Sequence, residues 1–325
     1  MKRTIKFAVA FIIILLLFSG CKGMGDESKP NDKRFVSALG FDEENGEIIA
    51  SVETVEAVGE GKVNPYILKN KGKSVESILA EIEAESPREL SFSHAEAVVF
   101  GEELSKNNVK QILDFFVKNE KIPLSARLIS TDDAEELLGF KKGDGEASGY
   151  EISNMIKRLG EKTGIGNHST LYEIKTAAMQ KVNIYALPIL EADDNKLEFE
   201  GMRVFVDDEE SAELDYDQSL VYAVVRNIFD GGEIYSDNGV YTVNSAEADI
   251  KADFSSDKLK IDVTVKFSPE SDELLRIIKE NLKDSDRDYF GISAAIAERY
   301  PEIWKAIESS YERYFKNAEI NIRKG

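Results

Sequence analysis

The chain has 325 residues, 42% of them hydrophobic and 31% charged, with a mean hydropathy of −0.31, enough for about two domains that each bury a core. Three of its 41 bases fall in the first twenty residues, so the rest sets 38 bases against 61 acids, a net charge of −23 that repels phosphate backbones and argues against nucleic-acid binding. A single cysteine excludes a disulfide framework or a cysteine-based metal site within the chain, and His94 and His168 alone are too few for a histidine-rich one.

Lys2, Arg3 and Lys6 precede an unbroken apolar run, residues 7–18. At ~1.5 Å rise per residue this run is too short for a ~30 Å bilayer core, but it suits a secretory signal. Leu17-Phe18-Ser19-Gly20-Cys21 follows. Small residues at 19 and 20 fit a signal peptidase pocket, and the cysteine after them is the acceptor for a diacylglycerol thioether. The pattern resembles a bacterial lipobox, with Phe18 where Leu is usual. The expectation is a signal peptide over 1–20, cleavage before Cys21 and lipid on that residue. More than one acyl chain, at ~0.8 kcal/mol per buried methylene, gives stable anchoring. Residues 21–33 are polar and read as a flexible tether. No later run is apolar for 18 residues.

In the body, residues 34–41 and 47–58 read as strands around a tight turn at 42–46. Residues 74–85 read as a helix capped by Ser74, with Val75, Ile78, Leu79 and Ile82 on one face, and Pro87 ends it. A short strand at 96–100 is closed by Gly101. A helix over 106–120 carries Val109, Ile112, Leu113 and Phe116 at helical spacing. A strand at 124–129 and a short helix at 131–138 follow, the latter with Asp132 and Asp133 near its positive end. Residues 141–149 read as an exposed loop. Thr170 and Glu173 predict a capping box for a helix over 171–181, and a strand follows at 184–190.

The polar run 191–196 reads as a domain boundary, dividing 34–190, a mixed α/β domain, from 197–325, an α+β domain. The second half begins with a strand over 197–206, broken at Gly201, then a helix over 219–229. Residues 233–243 read as a hairpin turning at Asp237-Asn238-Gly239. Residues 246–254 and 258–267 alternate cleanly and predict two long antiparallel strands around Ser255-Ser256-Asp257, one face meeting water. Helices over 270–282 and 292–315, the second interrupted near Pro301, precede a last strand at 318–322. The expected whole is a mixed α/β chain of two or three subdomains, each a sheet with packed helices.

Candidate chemistry is sparse. Asp284, Asp286 and Asp288 have the first spacings of a calcium loop, but Tyr289 and Ala295 stand where it needs glycine and a bidentate acid. A charged connector is the simpler reading, as a solvated turn is for Asp207-Asp208-Glu209-Glu210. Gly143-Asp144-Gly145 and Gly164-Ile165-Gly166 lack the context of a phosphate loop. There is no Gly-x-Ser-x-Gly elbow. His94 reads as structural, so no catalytic residue, metal or cofactor is assigned. Trp304 with Ile307, Tyr311 and Phe315 forms a stripe at helical spacing. Core packing explains it most simply, and the other reading makes Trp304, Tyr311 and Phe315 a surface for a partner helix.

Several stretches together resemble one family. They are Val36-Ser37-Ala38-Leu39-Gly40-Phe41-Asp42, the helix after Gly72-Lys73-Ser74, and Ser93-His94-Ala95-Glu96 running on through Gly101 to Leu104. Ile112-Leu113-Asp114-Phe115, Ala134-Glu135-Glu136-Leu137-Leu138, Gly201-Met202-Arg203-Val204-Phe205, Asp288-Tyr289-Phe290-Gly291, Pro301 with Trp304-Lys305, and the closing strand continue the order. This ordered set with its lipobox resembles the Ger(x)C lipoproteins, the C subunits of spore germinant receptors. Lys22-Gly23 follows the cysteine where members often carry Trp-Asp. The resemblance implies a lipid-anchored α/β protein on the outer face of the inner membrane of an endospore. It implies as partners an A subunit with a soluble domain plus membrane helices, and a B subunit like an amino-acid transporter. It carries over no catalytic residue. From another class, a solute-binding lipoprotein delivering a small ligand to a transporter would need a deep cleft between two lobes. A cell-envelope enzyme is disfavoured for want of a site.

Overall fold

The structure, a computed structural model, describes residues 33–325 apart from 60–61, 120, 141–146, 194–195 and 237–238. Cys21, the tether, Gly143-Asp144-Gly145 and the turn residues Asp237 and Asn238 lie outside the described residues. The fold is mixed α/β, as expected.

The chain opens with β1 (Lys33–Glu44), β2 (Glu47–Gly59) and β3 (Lys62–Gly72), an antiparallel meander. Then come α1 (Val75–Glu85), β4 (Glu89–Ser91), β5 (Ala97–Phe100), α2 (Glu102–Asn107), α3 (Val109–Lys118), β6 (Arg127–Ser130), α4 (Ala134–Gly139), α5 (Ser148–Thr163) and α6 (Leu171–Ala177). Strands β7 (Ile184–Asp193), β8 (Lys196–Val206) and β9 (Glu209–Leu214) complete a nine-stranded sheet ordered β3-β2-β1-β5-β6-β7-β8-β9, with β4 beside β1. Its centre, β1-β5-β6-β7, is parallel.

Period-two alternation divides the central strands between two cores. Leu39, Phe41, Val98, Phe100 and Leu128 pack with Ile78, Ile82, Ile112 and Phe116 from α1 and α3. Ala38, Ala97, Val99 and Ile129 pack with Ala134, Leu138, Ile152 and Ile156 from α4 and α5. A parallel sheet covered on both faces explains the unbroken apolar run of β5. Local caps behave as the sequence predicts: the Ser77 N–H donates to the Ser74 hydroxyl, and Thr170 with Glu173 forms the capping box of α6.

Three elements depart from expectation. Residues 148 and 149, read as loop, begin the sixteen-residue helix α5. β3, not foreseen, is an edge strand whose Pro65 and lysines blunt it. β9, read as the tail of a solvated turn, is the opposite edge. The polar run 191–196 is no break in the sheet: β7 and β8 pair antiparallel across it, from Ile184↔Val206 to Asp193↔Lys196. Gly201, at φ +146°, does not end β8; the register shifts beside it, between Ile189 and Leu190.

Beyond β9 lie α7 (Tyr216–Val225), the hairpin β10 (Gly232–Ser236) and β11 (Gly239–Val243), and the long strands β12 (Ser245–Ser255) and β13 (Lys258–Ser268). Ser256 and Asp257 have φ of 52° and 59°, the left-handed pair of a tight hairpin turn. Helices α8 (Asp272–Asp284), α9 (Ile292–Arg299), α10 (Pro301–Ile307) and α11 (Tyr311–Lys316) follow, and β14 (Glu319–Lys324) pairs parallel with β13. Ala248, Ile250, Ile261, Val263 and Val265 face the helices, while Glu247, Lys251, Lys258 and Lys266 face water. This core also takes in Ile184, Met202, Val204 and Leu214 of the first sheet, so the apolar interior is continuous past the expected boundary.

Candidate functional site

In open α/β sheets ligands bind beyond the carboxyl ends of the parallel strands. Here that edge is filled by the chain's own side chains. At the end of β1, Asp42 accepts the backbone N–H groups of Ala134 at 2.8 Å and Glu135 at 3.1 Å, entering the start of α4 as a bound anion would. A Cβ on the adjacent Gly101 would lie 2.1 Å from Asp42 Oδ1, so any larger residue there would displace this carboxylate. At the end of β6, Thr131 Oγ donates to Glu191 at 3.1 Å and the Asp132 N–H donates to it at 2.8 Å.

Beside them lies Arg203 on β8, 1% exposed. Its Nη1 donates to Ser130 Oγ at 2.7 Å, its Nε donates to Glu213 at 3.1 Å, and Glu210 lies 3.5 Å from Nε. Burial pushes the Glu191 and Glu210 carboxyls above the usual range, and Arg203 offsets part of that.

Burial also raises Asp42, from 3.8 to about 6, against the two backbone donors that lower it. Because the folded value is the higher one, this group's contribution to stability is full below pH 3.8 and is lost as pH rises through 6. The loss is at most about 3 kcal/mol. In urea unfolding of wild type and Asp42→Asn, the difference between them should move toward the variant by about 2–3 kcal/mol from pH 4 to pH 7. A difference constant with pH would remove ionisation of Asp42 as its cause.

The sequence-predicted aromatic stripe is divided. Phe315 and Tyr311 are buried, at 2% and 7% exposure, because α11 lays them against the β12–β14 sheet and α9. They are core residues and not a surface. Trp304 is only partly buried, its ring 5.3 Å from that of Tyr311. With Lys181, Arg287 and Arg313 it lines an open groove of about 540 Å³.

Asp288, from the aspartate run, turns inward. It accepts the Ile292 N–H at 2.9 Å, the Ser293 N–H and the Tyr311 hydroxyl at 3.0 Å, capping α9. Burial, and then the Asp288 charge, push the Tyr311 hydroxyl well above 10. His94 is exposed, its ring edge-on to Phe35 at 4.7 Å, and His168 lies 3.2 Å from Asp230. Among the described residues no three His, Cys, Asp or Glu side chains converge on a metal position. Sequence reasoning gave Asp42, Glu191 and Arg203 no role, although Asp42 and Arg203 fall in segments that carry the family resemblance. Only Gly101 directly after an apolar strand hinted at a close approach there.

The profile of the family described as "Spore germination protein N-terminal domain" matches residues 26–192. That described as "Spore germination B3/ GerAC like, C-terminal" matches residues 271–323. YfkR of Bacillus subtilis (strain 168), named as a spore germination protein, is 23% identical over 151 residues. That match covers 42% of this chain and 38% of YfkR, so the chain spans well under half of that relative's length. The crystal structure of the GerBC protein superposes with a TM-score of 0.51 at 14% identity, over 88% of this chain and 95% of that one, a likeness of fold. The N-terminal profile alone spans half of the sequence, and the second falls on the last four helices and most of β14: the chain belongs to the GerAC-like family of spore germination proteins.

Proposed function

We propose that this protein is a lipid-anchored, non-catalytic subunit of a germinant receptor, held at the outer face of the spore inner membrane through Cys21. It acts by docking on the receptor's A and B membrane subunits. The observation that carries this reading is the ordered pair of spore-germination profiles across a lipobox-bearing chain. Two others support it. The sheet edge where an α/β enzyme holds its ligand is filled by Asp42, Glu191 and Arg203. A tether confines the body near its partners, raising their effective concentration without added contacts. The solute-binding alternative needs a deep cleft between two lobes, and β7 and β8 pair without a break across residues 191–196, where the boundary between the two halves was expected.

Deleting the gene, or changing Cys21→Ala, should abolish or slow germination on particular nutrients, read as loss of spore optical density, while vegetative growth is unchanged. Normal germination in both strains on every nutrient tried would overturn the proposal.

A further inference from the structure

Away from the sheet edge, an open pocket of about 170 Å³ lies between α6, β7 and the end of α7. Its floor is apolar, formed by Ile174, Ala177, Ile184 and Ala186. Arg226, which caps the C-terminus of α7, lines it with Tyr222. The guanidinium lies beside the hydroxyl of Tyr222, a residue only 3% exposed. Gly291 seats the arginine: a Cβ there would come within 2.7 Å of Arg226 Cδ, and the φ of +78° keeps the position to glycine.

The charges around the pocket are otherwise engaged. Glu173 accepts the Thr170 N–H at 3.0 Å, and His168 faces Asp230 at the rim. Arg226 makes no ion pair with a carboxylate among the described residues. The Asp288 carboxylate also acts on Tyr222, but its oxygens are taken by the Ile292 and Ser293 N–H groups and the Tyr311 hydroxyl, which leaves Arg226 outside the salt bridges found among the described residues.

We propose that this pocket binds a small carboxylate with a short branched apolar tail. The guanidinium fork matches a carboxylate in two parallel hydrogen bonds, the Tyr222 hydroxyl adds a third donor, and the tail displaces water from the isoleucine and alanine floor. At ~30 Å³ per water the space equals about six waters, which suits roughly six to eight non-hydrogen atoms. The inference rests on the pocket alone and is independent of the receptor assignment.

The test is a calorimetric titration of the full chain, purified in detergent, with isovalerate and with the matching amine, isopentylamine. Isovalerate should bind saturably with a Kd of about 1 mM, ordinary for so small a ligand, and the amine should not. Arg226→Gln should weaken isovalerate at least about tenfold, as expected for loss of a charge-assisted pair. Ala177→Leu, which fills the floor and leaves Arg226 in place, should weaken it as much. Absence of saturation by about 50 mM, equal binding of the amine, or unchanged affinity in either variant overturns the proposal. Far-UV circular dichroism confirms that each variant is folded.

Discussion

Arg203→Ala is expected to remove about 3 kcal/mol of folding stability, a large share of what a chain of this size holds in reserve. The magnitude follows from what is left behind. Glu213 is half exposed and can turn toward water, so its abandoned charge costs little. Glu210 cannot: its side chain is 18% exposed, and Oε2 has no hydrogen-bond partner, only the charge of Arg203 with Nε 3.5 Å away. Ser130 Oγ also loses its donor in a dry site. Arg203→Met should be nearly as damaging, since its length restores packing but not charge. Combined with Glu210→Leu, the methionine variant should recover part of the loss, because an apolar replacement of a whole buried pair is often tolerated. Urea unfolding of the three variants measures this. A single-variant loss under 1 kcal/mol would show that solvent reaches the cluster.

Glu53→Ala should cost about as much or more, on the order of 4 kcal/mol. Glu53 on β2 is 1% exposed, and it supplies the cap that α5 lacks in its own sequence. Oε1 accepts the Ser148 N–H at 2.8 Å, and Oε2 accepts the Gly149 N–H at 2.9 Å and the Ser37 hydroxyl at 2.7 Å. The carboxylate thus meets the positive end of a sixteen-residue helix from a strand 95 residues earlier. Truncation strands three buried donors at about 1–3 kcal/mol each, less whatever the site recovers by relaxing. Glu53→Gln keeps one oxygen but turns an amide N–H against a helix N–H, and should lose about half as much. Hydrogen exchange at Ser148 and Gly149 should speed up in both variants before global stability is lost. Wild-type stability in Glu53→Ala would contradict the clamp.

The sequence shows what is local. Ser74, Thr170 with Glu173, the turn at Ser256 and Asp257 and the alternation of β12 and β13 are each decided by neighbours in the chain, and each appears as read. What stays hidden is decided at a distance. The helix α5 has a narrow apolar stripe, Ile152 and Ile156 with Met155 and Leu159 only partly covered, and its cap comes from another element. β3 carries Pro65 and three lysines because it is an edge, and such a sequence resembles a loop. Charges mislead most. Glu53, Arg203 and Asp288 look like surface residues in a chain so rich in acids, yet all three are buried. Trp304, Tyr311 and Phe315 share a helical face in sequence, but the break between α10 and α11 turns the last two inward. The family resemblance was legible because it rests on the order of many short segments and not on any one of them.

The hairpin of β7 and β8 also decides where this molecule can be cut. The N-terminal profile stops at residue 192, inside β7. A fragment ending there keeps Tyr185, Leu187 and Ile189 but strips the strand that covers their backbone, leaving a long apolar margin on which copies can stack. A truncation after Leu214 retains β9 instead. Its outer border is then Glu209–Leu214, where the exposed Glu209 and Glu213 disfavour edge-to-edge pairing, but the face of Ile184, Met202, Val204 and Leu214 loses the helices and strands that cover it.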